Sequence, residues 1–159
     1  MRYRLQRHDG TDCSATMVPI TVLRMVPIQR YRHIRENTSH GIEELGLRPE
    51  QLNEALNFLP SYDLVETGYS SYREESEATF GRGNGYGQNF FWSINESGVV
   101  NAIWLDIEVA PITMDMWRKS LISLGETAPV LLADWNCSLC VDLTNSSDIE
   151  EYIKEKSRL

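Results

Sequence analysis

No stretch of the sequence approaches the roughly 18 consecutive apolar residues that a membrane-spanning helix needs, so no membrane is expected as a partner. The early arginines run into Asp9, Gly10, Thr11 and Asp12, where a secretory signal would place an apolar segment. The cytoplasm is therefore the expected compartment. Cysteine is scarce, at Cys13, Cys137 and Cys140, and the three histidines, His8, His33 and His40, all fall in the first 40 residues. There is no H-E-x-x-H, no nucleophile elbow and nothing that assembles a catalytic triad. An enzyme is not expected, and no cofactor is. The 159 residues, 42% hydrophobic and 24% charged, have the composition of an ordinary globular protein and the length of a single domain.

Charge is present but unevenly spread. Residues 1–40 carry seven arginines against Asp9, Asp12 and Glu36, a net of +4. Residues 41–159 carry 8 basic and 20 acidic side chains, a net of −12. An acidic body repels phosphate, which argues against direct nucleic-acid binding. Acidic surfaces commonly serve solubility alone. The sharper alternative is that this one steers a basic protein partner.

Met17-Val18-Pro19-Ile20 recurs as Met25-Val26-Pro27-Ile28, too little for a repeat architecture. Residues 1–24 show no sustained periodicity, and proline is tolerated only in edge strands. The expectation is a non-essential extension over 1–24 and one domain over 25–159, so that a chain beginning at Met25 folds unchanged. From Pro49 onward, Leu52, Ala55, Leu56 and Leu59 repeat at helical spacing with Glu50 and Glu54 outward, predicting a helix over about 49–58. Residues 61–88 read as acidic and turn-rich. Hairpins are expected over about 89–109, around the turn residues Asn95-Glu96-Ser97-Gly98, and over about 130–143. Met114, Trp117, Leu121 and Leu124 form a helical stripe over about 114–124, with Gly125 suited to the position just past its end. Ser147-Asp148-Ile149-Glu150 has capping-box spacing and opens a last helix over about 147–156. Helices interspersed with paired strands predict an α+β fold with a central antiparallel sheet.

Two motifs invite chemistry. Cys137-Ser138-Leu139-Cys140 is a C-x-x-C, but it sits between two strand patterns, whereas a thioredoxin-like pair opens a helix. A zinc site needs about four ligands, and the remaining cysteine and histidines lack matched spacing. The expectation is packing without metal, with a small redox or metal-binding protein using Cys137 and Cys140 as the alternative. Gly81-Arg82-Gly83-Asn84-Gly85-Tyr86-Gly87 is glycine-rich, yet it lacks the Lys-Ser/Thr of a Walker loop and the G-x-G-x-x-G spacing. A mobile loop entering a strand is the better reading.

The segment 99–109 carries more information. Alternation assigns Ile103, Leu105, Ile107 and Val109 to a core face and Ala102, Trp104, Asp106 and Glu108 to the other. An aromatic flanked by carboxylates suits a protein-binding surface, and the same alternation also suits a tryptophan packed inside. The candidate partner-binding residues are Glu74, Glu75, Glu77, Trp104, Asp106 and Glu108.

Ile103-Trp104-Leu105-Asp106-Ile107, the helix around Trp117-Arg118, Leu131-Leu132-Ala133-Asp134-Trp135-Asn136, Val141-Asp142-Leu143-Thr144 and Ile149-Glu150-Glu151-Tyr152-Ile153 together give residues 89–154 a recognisable style. It resembles small bacterial immunity proteins encoded beside polymorphic or contact-dependent growth-inhibition toxins. The Arg-rich start departs from that pattern. The resemblance implies a cytoplasmic, cofactor-free, acidic inhibitor that blocks one cognate toxin domain, with a basic nuclease as the expected class. A generic adaptor for another basic protein is the remaining alternative.

Overall fold

The computed structural model describes residues 5–6, 12–13, 21–27, 41–69, 72–75, 78–84, 88–107, 114–134 and 139–157. Among them, the two expected hairpins are present as β7 (Gln88–Ile94) with β8 (Val100–Ile107), and β9 (Val130–Asp134) with β10 (Leu139–Asp142). They belong to one sheet because β3 (Thr21–Pro27) lies between them. β3 pairs with β8 through Thr21–Arg24 and with β9 through Arg24–Pro27. With β6 (Thr79–Gly83) outside β7, the antiparallel order is β10-β9-β3-β8-β7-β6. A second sheet, ordered β2-β1-β4-β5, is built from β1 (Leu5–Gln6), β2 (Asp12–Cys13), β4 (Leu64–Tyr69) and β5 (Tyr72–Glu75).

The stretch 61–88, read as turns from sequence, therefore contributes three strands. The boundary expected at Met25 also falls inside a central strand, since four residues before it form the β3–β8 ladder. Pro27 does not confine β3 to an edge. It is the last residue of the strand, paired with Val130 of β9 after the β8 pairing has ended at Arg24. Proline there sits on a locally one-sided strand, the setting in which its missing N–H costs least. The first residue of β8 finds a different partner: Val100 N–H donates to Leu47 O at 2.9 Å.

Three α-helices cover one face of the main sheet: α1 (Pro49–Ala55), α2 (Met114–Thr127) and α3 (Ser146–Lys156). Their inward residues are the ones helical spacing selects. Leu52, Trp117, Leu121, Leu124, Ile149, Tyr152 and Ile153 are buried against Phe90, Trp92, Ile103, Leu105, Leu132 and Val141 of the sheet. Burial of each such side chain contributes roughly 1.5–3 kcal/mol. The architecture is a single α+β domain.

Two helix-end expectations are corrected. Gly125 lies within α2, two residues before its end. A Cβ there would overlap the Leu143 carbonyl, so the glycine permits close approach of the helix to the end of β10. α3 is capped by Asn145, whose Oδ1 accepts from Ser147 N–H at 3.0 Å and whose Nδ2 donates to Asp148. The capping-box residue Ser147 is already inside the helix.

The opposite face of the sheet carries a smaller cluster of Tyr62, Val65 and Phe91, against which Trp104 packs. Here the alternating glycines acquire a reason. Gly81 and Gly83 stand on one face of β6. A Cβ on Gly81 would meet the Phe91 ring at 2.7 Å and the Tyr62 ring at 3.1 Å, and one on Gly83 would overlap Asn89 and the Gln88 backbone. Gly81 makes room for an aromatic stack and Gly83 for Asn89, and both belong to a strand, whereas Gly85 and Gly87 lie outside the described residues.

Candidate partner-binding surface

The residues singled out from sequence fall on different parts of the molecule. Trp104 is half-buried and stacked on Phe91 with ring centroids 5.8 Å apart, and Phe91 in turn stacks on Tyr62 at 6.3 Å. Its Nε1 is buried with no hydrogen-bond partner among the described residues. Asp106 stands two positions along the same strand, at the register position of Asn89 on β7 and Val22 on β3. Glu74 and Glu75 are on β5 of the second sheet, opposite Thr67 and Glu66. Glu77 and Glu108 lie outside the described residues. The backbone thus brings Trp104 and Asp106 together and puts Glu74 and Glu75 on a separate sheet.

Among the described residues the cations are used as follows. Arg48 donates to Ser97 O at 2.9 Å, and this clamps the turn of the β7–β8 hairpin. Arg82 donates to Asn53 Oδ1 at 2.9 Å and to Leu59 O at 2.7 Å, tying β6 to the end of α1. Lys156 is buried with Asp134, Nζ to Oδ2 at 2.6 Å. Arg118 reaches Asp115 and Glu150 at 2.7 Å each, joining α2 to α3. The Glu150 hydrogen bond, ahead of Asp115, holds that guanidinium above its ordinary pKa against the opposing effect of desolvation. Lys119 Nζ lies 4.0 Å over the Phe58 ring. Against these, Glu43, Glu50, Glu54, Glu96, Glu126, Glu151 and Glu155 are all exposed, and none meets a cation among the described residues.

On α2 lies a shallow, open depression of about 430 Å³ lined by Asp115, Arg118, Lys119, Ile122, Ser123 and Glu126, all from that one helix. Ser123 Oγ donates to Ala55 O at 2.6 Å and seats α1 beside it. Met116, 41% exposed, is the one large apolar side chain exposed among the described residues.

No family model matches the chain, and no curated protein or solved structure matches it either. Among the described residues, no group of three or more His, Cys, Asp or Glu is arranged to hold a metal ion, and no helix is long and apolar enough to cross a membrane. Cys140 is exposed on β10, and burial, with Asp142 second, pushes its thiol pKa up. That direction disfavours the thiolate on which redox chemistry depends. Cys137 lies outside the described residues.

The helical-face carboxylates Glu126, Glu150, Glu151 and Glu155, with Met116, were not selected from sequence. The signal was present. A stripe of Met114, Trp117, Leu121 and Leu124 turned inward implies that 115, 118, 119, 122 and 126 face outward.

Proposed function

We propose that the protein is a cytoplasmic binding protein that recognises a basic protein domain, and that it acts as the immunity partner of a toxin, with a basic nuclease domain as the class it blocks. The observation that carries this is the allocation of charge. Arg48, Arg82 and Arg118 are bonded to the protein's own carbonyls, an amide and carboxylates, while seven exposed glutamates meet no cation among the described residues. The field such a surface projects accelerates encounter with a positively charged partner and falls with salt. Once docked, carboxylates occupy positions that phosphates would take in a basic nucleic-acid cleft, so inhibition is by occlusion. No bond is made or broken in this mechanism.

The test is co-expression with the toxin domain encoded beside the gene. Restored growth, together with a stoichiometric complex by size-exclusion chromatography with light scattering, is the expected outcome. Continued killing with no complex would refute the proposal.

A further inference from the structure

We draw no further inference here: the strongest candidate, the turn at 95–98 that closes the β7–β8 hairpin and carries exposed Glu96, is ordered by Arg48 and by its own hydrogen bonds, and nothing in the structure shows what meets it.

Discussion

Replacing Asp134 by alanine removes the partner of an ammonium group that folding has taken out of water. Asp134 has a side chain 0% exposed, and that of Lys156 is 9% exposed. The two meet at 2.6 Å, and Tyr152 OH donates to the same carboxylate oxygen at 2.9 Å. These groups join the last turn of α3 to the end of β9. Breaking a buried pair by deleting one member typically costs about 3–5 kcal/mol, because the other charge remains buried. Total stabilities are about 5–15 kcal/mol, so Asp134→Ala should remove a large share of the folding free energy. Replacing the group as a whole should be far milder. Asp134→Leu with Lys156→Met and Tyr152→Phe removes both charges and the phenol donor, and such apolar exchanges are often neutral or stabilising. Urea unfolding followed by tryptophan fluorescence compares the variants, with equal slopes confirming a common unfolded state. A cost below about 1 kcal/mol for Asp134→Ala would show that the pair is effectively solvated. A triple variant less stable than the single one would show that the cluster stabilises the fold on its own account. Either result refutes the reasoning.

Gly125→Ala should destabilise the protein in the same assay, although an ordinary helix-interior glycine gains about 0.5–1 kcal/mol from that change; a stabilised variant would deny the close approach to Leu143. A chain beginning at Met25 lacks the residues that pair with β8, so its thermal unfolding should lose cooperativity or shift to markedly lower temperature. An unchanged melting temperature would restore the extension reading. The raised pKa of Cys140 leaves less thiolate at pH 8 than a free cysteine has. Its alkylation by iodoacetamide, followed by site-resolved mass spectrometry, should be slow at pH 8 and accelerate only at higher pH, with Asp142→Asn moving the profile to lower pH. Trp104→Phe should preserve stability better than Trp104→Ala, since it keeps the stack on Phe91 and removes an indole N–H that has no partner among the described residues.

The parts of the fold that were legible from sequence are those set by short-range periodicity. The stripe of α2, the alternation of Ile103 and Leu105 in β8, and the two hairpins each depend on neighbours within a few residues. What was hidden depends on contacts distant in sequence. β3 is a central strand because β8 and β9 lie on either side of it, and nothing between Thr21 and Pro27 announces those partners. Gly81 and Gly125 looked like loop and cap residues, since the Phe91 ring and the Leu143 carbonyl that demand them come from other elements. Asn145 displaced the expected cap for a local reason: its side-chain oxygen reaches Ser147 N–H from one turn position earlier.

Net charge was equally visible in the sequence, but its deployment was not. A value of −8 is compatible with carboxylates and cations paired everywhere except at eight scattered positions. The fold does something different. Arg48 and Arg82 are spent on backbone carbonyls that close a hairpin turn and a helix end. Lys156 is buried with Asp134. Lys156 and Asp134 leave the surface together, and Arg82 is half-buried against the end of α1, while Arg48 holds the hairpin turn from an exposed position. The same reasoning separates stability from recognition among the carboxylates. Asp134 and Glu150 have cationic partners within the fold, so changes there act first on folding. Glu126, set against its helix dipole and with no cation among the described residues, gains less from the fold than a lysine would there, so Glu126→Lys is the charge change that folding should tolerate best.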